Sequence, residues 1–310
     1  MILMQTLYIT HPACHLHEMG NWHPECPARL DAINDQLLAN GIHSLLPERQ
    51  AGRATDIDIL RVHSAEHLAY LRAHAPDTGH FQIDPDTLMN RHTLEAAWHA
   101  AGAGITAVDA IMNRESQSAF CAVRPPGHHA SRQQAMGFCF INNIAVAAAY
   151  ALEHYQLERV AIIDFDVHHG NGTENIFAGD ARVLMCSFYQ QGIFPGTSHQ
   201  PPADNMVNLP VDAYTRGHDL RTLVSDIWIP RLLSFRPQFV FISAGFDGHR
   251  EDDMAQLGMV ESDYEWITHQ IVGLADETAH GRIVSFLEGG YNLSALGRSV
   301  VAHIRALAKL

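Results

Sequence analysis

The sequence predicts an α/β fold in which helices cover both faces of a mainly parallel central sheet, in three α/β/α layers. Apolar runs of strand length alternate along the chain with helix-like segments, and this alternation is typical of parallel sheets. The strand-like runs are also almost continuously apolar, as expected for strands that are buried on both faces. Polar clusters that together supply His, Asp and Tyr follow directly on four of these runs, which is where sites form in such folds.

Five strands are predicted from runs rich in Val, Ile and Phe, at residues 118–123, 159–165, 182–187, 238–243 and 282–287. Five helices are predicted at residues 94–112, 142–154, 219–234, 263–280 and 294–310. A capping box from Ser262 to Glu265 is expected to begin the fourth helix, and Gly281 to end it. No repeat or flexible linker divides residues 1–310, so we expect one domain.

Composition and charge exclude several classes of protein. Hydrophobic residues make up 47% and charged residues 17% of the chain, whereas disordered proteins have low hydrophobicity and high charge. The formal net charge of −14 argues against a nucleic-acid partner, because phosphate binding requires a basic surface. The longest apolar run, 144–152, is shorter than the roughly 20 residues that span a bilayer, so no membrane partner is expected.

The N-terminal residues and the cysteines predict a cytoplasmic location. No basic segment precedes the first apolar residues, so a signal peptide is not expected. The five cysteines are odd in number and include no C-x-x-C pair, which favours a reducing compartment.

The candidate metal ligands follow two of the predicted strands. Asp164, Asp166 and His168 are spaced i, i+2 and i+4, so in extended chain they share one face and at least two could reach one cation. Asp247 follows another strand and could supply a third ligand. Such ligands suit Zn²⁺ or Mn²⁺, and a set of three leaves a position open for catalysis. Turn and helix-cap chemistry is the alternative explanation of an Asp-rich strand end.

Candidates for proton transfer and oxyanion binding follow two other strands. His128 and His129 come after a Pro-Pro-Gly turn that would fix both rings at a strand end. Tyr291 follows two glycines, and its phenol could donate a hydrogen bond to a developing oxyanion. An exposed turn with incidental histidines and a packing tyrosine are the alternatives. Neither a G-x-S-x-G elbow nor a phosphate-binding loop is present.

Taken in order, these segments resemble the zinc-dependent histone deacetylase and acetylpolyamine amidohydrolase superfamily over nearly the whole chain. The matching motifs are GNWHPECPAR at 20–29, RPPGHH at 124–129, GFCF at 137–140, DFDVHHGNGT at 164–173, FPGT at 194–197, SAGFD at 243–247 and LEGGYNL at 287–293. The HHGNG and LEGGY segments are similar to the class II branch and its bacterial relatives.

The resemblance implies an arginase/deacetylase fold and one catalytic Zn²⁺ held by Asp166, His168 and Asp247. It implies that His128 and His129 are the acid/base pair and that Tyr291 polarises the substrate carbonyl. Asp164 would support His128, and Asn171 stands where class I members have an aspartate behind His129. Because a charge partner is missing there, His129 should be protonated less easily than in class I.

The resemblance also implies ion and substrate sites around this centre. One structural K⁺ is expected at Asp164, Ser187 and Phe188, and a second at carbonyls near Phe177, Asp180 and Val183. The walls of an acyl-lysine channel and its rim are expected from Phe138, Phe194, Gly137, Gly289, Met254 and His23. Arg29 corresponds to the arginine beneath the zinc, where the acetate product would leave.

The function that this resemblance implies is removal of acetyl or other acyl groups from the lysine side-chain amine by activated water. The expected partner is therefore an acyl-lysine protein or peptide, or another acetylated amine. An acetylpolyamine deacetylase is the first alternative, although Met254 lies near the position of the glutamate associated with polyamine selectivity. A two-metal ureohydrolase would need an acidic residue at Gly170. A catalytically silent acyl-lysine or polyamine binding module is the non-enzyme alternative, and the oligomeric state stays open.

Overall fold

An eight-stranded parallel sheet forms the centre of the computed structural model, which describes residues 6–196 and 201–310. In chain order the strands are β1 (Thr6–Thr10), β2 (Glu48–Gln50), β3 (Phe81–Asp84), β4 (Thr87–Met89), β5 (Ser118–Cys121), β6 (Val160–Asp164), β7 (Val183–Gln190), β8 (Met206–Val211), β9 (Phe239–Ala244) and β10 (Ile283–Leu287). The central sheet has the order β2-β1-β5-β10-β9-β6-β7-β8, and β3 and β4 form a separate antiparallel hairpin.

Helices connect the strands and complete the predicted three-layer α/β/α fold. They are α1 (Ala13–Leu16), α2 (Ala28–Ala39), α3 (Asp56–Leu60), α4 (Ala65–Ala73), α5 (Thr93–Met112), α6 (Asn143–His154), α7 (Asn171–Phe177), α8 (Gly217–Leu223), α9 (Ile229–Phe235), α10 (Glu261–Thr278) and α11 (Leu293–Leu307). A short 3₁₀ turn spans His43–Leu45.

The five predicted strands correspond to β5, β6, β7, β9 and β10, and every residue of these strands is buried. Continuous burial explains why the sequence revealed them, since such strands are apolar on both faces. The edge strand β2 consists of Glu48, Arg49 and Gln50, and β8 alternates between buried and half-buried residues. Neither pattern resembles a buried strand, and both elements were missed, together with β1.

Two predicted helix features are wrong in detail. The capping box was expected from Ser262 to Glu265, but α10 begins at Glu261, and the backbone N–H of Val260 donates to the carboxylate of Asp263 at 3.0 Å. The predicted helix 219–234 is divided by a π-helical turn, Val224–Trp228, just before Pro230. Proline has no N–H to donate, so the regular hydrogen-bond ladder is interrupted at this point.

No helix in the two described ranges is long and apolar enough to cross a membrane. All five cysteines are free thiols, and every one except Cys26 is buried. The buried thiols therefore act as small apolar side chains in the core.

Two glycines test how tightly the helices pack. A Cβ at Gly102 of α5 would overlap the carbonyl oxygen of Gly52, whereas a Cβ at Gly273 of α10 would have no atom within 4 Å. We expect Gly102→Ala to destabilise the fold by about 1–3 kcal/mol, because backbone must move. Gly273→Ala should instead stabilise it by about 0.5–1 kcal/mol through helix propensity. Urea unfolding measures the free energy of unfolding of both variants. Equal changes in the two variants would contradict the tight packing at Gly102.

Candidate active site

The polar clusters predicted at strand ends meet at one edge of the sheet. The loops that follow β5, β6, β9 and β10 carry His128, Asp166, Asp247 and Tyr291, respectively. These strands are adjacent and parallel, so their carboxyl ends lie side by side. The topology therefore brings side chains distant in sequence into one site.

Asp166, His168 and Asp247 form a buried cluster with the geometry of a metal site. One ligand atom from each residue lies within 4.8 Å of the others. The Nδ1 atom of His168 is 3.1 Å from a carboxylate oxygen of Asp166 and 3.1 Å from one of Asp247. Two carboxylates and one imidazole fit a divalent cation such as Zn²⁺, which accepts oxygen and nitrogen ligands.

Backbone N–H groups hold the two carboxylates in place. Gly289 donates to Asp166 at 2.8 Å, and Val167 donates to Asp247 at 3.1 Å. A Cβ at Gly245 would overlap the Asp166 carboxylate, and one at Gly289 would overlap that of Asp247. Gly289, which was expected to border the acyl channel, therefore lies directly against the candidate metal-ligand carboxylates and is not among the residues that line the channel.

The adjacent histidines lie beside this cluster and have different partners. Nδ1 of His128 is 3.0 Å from the carboxylate of Asp164, whereas Nδ1 of His129 is 2.8 Å from Oδ1 of Asn171. The Asn171 amide nitrogen donates to the sulfur of Met136 at 3.4 Å, which orients Oδ1 toward His129. Nδ1 of His129 therefore donates to Asn171, and its Nε2 is left as a proton acceptor.

These environments move the two imidazole pKa values in opposite directions. Burial and the neighbouring His128 and His168 hold the pKa of His129 well below its usual range. Burial also opposes the charge on His128, but the carboxylates of Asp166, Asp164 and Glu288 outweigh it and raise its pKa to about 10. His129 is thus the neutral member of the pair, as a proton acceptor must be. Burial is the leading cause of the lowered pKa of His129, and the hydrogen bond to Asn171 acts in the opposite direction, so the expected difference from class I stays a prediction.

Tyr291 lies across the site from the histidines. Burial and the Asp247 carboxylate raise the pKa of its phenol well above 10, so the group keeps its proton. Its backbone N–H and that of Asn292 donate to the buried carboxylate of Asp252 at 2.6 and 2.9 Å. The Arg29 guanidinium lies 5.0 Å from the centre of the Tyr291 ring.

A narrow channel leads from the surface to this centre. It is lined by Asp86, His129, Gly137, Phe138, His168, Phe194, Met254 and Tyr291. Phe138 adopts a left-handed φ of 69°, and a Cβ at the preceding Gly137 would lie 2.6 Å from the His129 ring. His23, which was also expected at the rim, is not among these lining residues and packs edge-on against Phe138 at 4.6 Å between ring centres. Phe138 and Phe194 thus form the aromatic part of the channel wall.

Three acidic residues at the site carried no predicted role. Asp86 lines the channel, and burial and the neighbouring Asp84 raise its pKa to about 6. Glu288 accepts from the backbone N–H groups of Gly127 and His128 at 2.7 and 3.1 Å. Glu25 is fully buried and pairs with Arg29 and Arg124. Glu25 and Glu288 stand in the motifs of residues 20–29 and 287–293, but their roles depend on partners that are distant in sequence.

The residues expected to bind K⁺ lie on the β6–β7 side of the sheet. Asp164 and Ser187 are direct neighbours on β6 and β7, and the Ser187 hydroxyl donates to Oδ1 of Asn208 at 3.0 Å. Phe188 follows, with its ring stacked on Trp228. The carbonyls of Phe177, Asp180 and Val183, expected at a second K⁺, all accept from the side-chain amide of Asn205.

Known proteins are similar to this chain in both sequence and fold. A family model described as the histone deacetylase domain matches residues 23–307. A probable deacetylase of Archaeoglobus fulgidus is 35% identical over 316 residues, which cover 98% of this chain and 87% of that protein. A histone deacetylase-like amidohydrolase of Pseudomonas aeruginosa is 36% identical over 278 residues, covering 87% and 73% of the two chains.

A solved structure agrees with these relatives. The crystal structure of the HDA15 HD domain superposes with a TM-score of 0.92 at 31% identity, covering 99% of this chain and 90% of that one. The match includes the sheet and the strand ends that carry the site. The chain therefore belongs to the histone deacetylase family.

Proposed function

We propose that the protein is a zinc-dependent amidohydrolase that removes acetyl or other acyl groups from lysine side chains. The observation that carries the proposal is the joint placement of three metal-ligand side chains, a neutral histidine and a protonated phenol at the base of one aromatic channel. Each group suits one requirement of amide hydrolysis, namely carbonyl activation, proton transfer and oxyanion stabilisation.

One metal ion per chain fits these residues better than two. A second metal would need an acidic ligand at position 170, and that residue is glycine. A Cβ at Gly170 would overlap the carboxylate of Asp164, so no larger side chain fits there. The site therefore supports a single-metal hydrolase over a two-metal ureohydrolase.

His129 is the proton carrier in this proposal. A zinc ion held by Asp166, His168 and Asp247 would polarise the substrate carbonyl and acidify water. Nε2 of His129 takes the proton of the attacking water while Nδ1 holds its hydrogen bond to Asn171. The same nitrogen then returns the proton to the amine nitrogen as the amide C–N bond breaks. His128 stays protonated beside Asp164 and stabilises negative charge.

Tyr291 and the channel complete the reaction. The Tyr291 hydroxyl donates a hydrogen bond to the oxygen that becomes negative in the transition state. Phe138 and Phe194 flank the aliphatic part of an acyl-lysine side chain, which carries no charge of its own. Only the amide therefore meets polar groups, at the base of the channel.

The channel rim bears on the choice between acyl-lysine and acetylpolyamine. Met254 lines the rim and offers no charge to a distal ammonium group, which favours acyl-lysine substrates. Asp86 also lines the channel and is the observation that favours a cationic amine. Its pKa of about 6 leaves the carboxylate mostly ionised at neutral pH, so it can equally accept an N–H from a peptide main chain.

Replacing Tyr291 by Phe tests the oxyanion role. We expect kcat for release of lysine amine from an acetyl-lysine peptide to fall about 10²–10³-fold, because one oxyanion donor is lost. KM and bound zinc should stay within about twofold, since the ring still fills its place. Tyr214→Phe, at an exposed tyrosine, is the matched control. A silent binding module would show no turnover in any of these proteins.

Zinc stoichiometry tests the metal site. The purified protein should hold one zinc per chain by elemental analysis, and a chelator should abolish deacylation until zinc is restored. Asp247→Ala should weaken zinc binding by about 100-fold or more, because a direct ligand is removed. Asp35→Ala, at an exposed carboxylate on α2, should change nothing. Two metal ions per chain would instead favour the ureohydrolase.

Met254→Glu tests substrate selection at the rim. The new carboxylate would attract a distal ammonium, so kcat/KM for acetylputrescine should rise about 3–10-fold relative to an acetyl-lysine peptide. Wild-type protein should prefer the peptide. Met254→Gln has a similar size without charge and serves as the control. A wild-type preference for acetylputrescine would favour the polyamine function.

A further inference from the structure

Three backbone carbonyl groups between the last residue of α7 and the first residue of β7 point at a single atom, the side-chain amide nitrogen of Asn205. The nitrogen lies 2.9 Å from the oxygen of Phe177, 3.1 Å from that of Asp180 and 3.0 Å from that of Val183. Converging carbonyl oxygens of this kind are how proteins replace the hydration shell of a monovalent cation. These are also the carbonyls at which the family resemblance implies a second K⁺.

The side-chain oxygen of Asn205 fixes the orientation of its amide. Oδ1 accepts from the backbone N–H of Gly179 at 2.9 Å. A flipped amide would place Oδ1 against three carbonyl oxygens and Nδ2 against an N–H group, so no hydrogen bond would remain. The two amide hydrogens must therefore be shared among the three carbonyls.

A cation bound to all three oxygens would need the place that the nitrogen takes. The side chain of Asp180, whose carbonyl is one of the three, does not favour such a cation either. The carboxylate of Asp180 accepts from Nε and the backbone N–H of Arg182, both at 3.0 Å, and pairs with its terminal nitrogen at 2.7 Å. The carbonyl cradle, defined here as the oxygens of Phe177, Asp180 and Val183, therefore does not fit the implied second K⁺ in this chain.

We propose that the Asn205 amide replaces the second monovalent cation and makes this part of the fold independent of K⁺. The amide joins the end of α7, the loop to β7 and the start of β8 without an ion. Asn205 is only half-buried, so removing its side chain would open the carbonyl cradle to solvent and to monovalent cations. This inference concerns stability and ion binding, and it does not depend on the proposed deacylation.

Two measurements test the proposal. The first is thermal unfolding of the full chain in KCl and in choline chloride of equal ionic strength. We expect Asn205→Ala to lower Tm by about 3–6 °C in choline chloride, because the hydrogen bonds of the amide are lost. KCl should restore at least half of that loss, because K⁺ then binds only the folded cradle. The second is the anomalous signal of Rb⁺ in crystals soaked in RbCl.

The Rb⁺ signal should be absent from the cradle of the wild-type protein and present in that of Asn205→Ala. A Rb⁺ signal near Asp164 and Ser187 would report on the other expected ion site and has no bearing on the carbonyl cradle. Asn113→Ala, at an exposed helix end, is the matched control and should respond to salt as the wild type does. Rb⁺ in the wild-type cradle, or an alanine variant whose salt response and Rb⁺ signal equal those of the wild type, would overturn the proposal.

A second variant covers the case in which alanine prevents folding. Asn205→Asp keeps the acceptor for Gly179 but turns a carboxylate oxygen toward the three carbonyls. Because oxygen repels oxygen, this variant should be folded in KCl and lose more than about 6 °C of Tm in choline chloride. Equal Tm in both salts would contradict the proposal. The wild-type Rb⁺ experiment decides the main claim even if neither variant folds.

Discussion

The buried carboxylate of Glu25 connects the loop that carries His128 and His129 with the loop that carries Tyr291. It pairs with Arg124, which leads into the turn of His128, and with Arg29, whose guanidinium donates to the carbonyls of Glu288 and Gly290. All three charged side chains are fully buried. Removing one partner of a buried pair leaves an uncompensated charge and costs about 3–5 kcal/mol. The Glu25 carboxylate and its two arginine partners therefore fix the histidine turn and the segment of Tyr291 relative to each other.

The candidate metal cluster follows a related rule, because backbone N–H groups hold its carboxylates in addition to their contacts with His168. Each accepts a backbone N–H, and glycines leave the room that the oxygens need. Groups held this way need little reorganisation when charge develops. The Gly-rich segments beside Asp247 and Tyr291 thus serve close packing at the site, which a substitution by alanine would prevent.

The five strands that the sequence predicted are buried on both faces, although the largely buried strand β1 was missed. Central strands are continuously apolar, whereas the edge strand Glu48–Gln50 is polar and gave no signal. At α10 the motif rule chose Ser262, but the carboxylate at the helix start is that of Asp263, because the helix begins two residues earlier than the motif required. The residue at which a helix begins depends on tertiary packing, which sequence patterns do not record.

The residues of the site could be predicted from the sequence, whereas the residues that hold the surrounding loops in place could not. His128, Asp166 and Asp247 stand at the ends of predicted strands, so topology alone placed them at one edge. Asn205 lies outside every predicted element, and nothing in its neighbours indicates that its amide would meet three carbonyls. The −14 charge likewise does not locate the acidic groups that matter, since the carboxylates at the centre are buried and fixed by hydrogen bonds. The net charge sets the long-range electrostatic field that acts on an approaching substrate. Selection between substrates depends instead on the side chains that contact the substrate inside the channel.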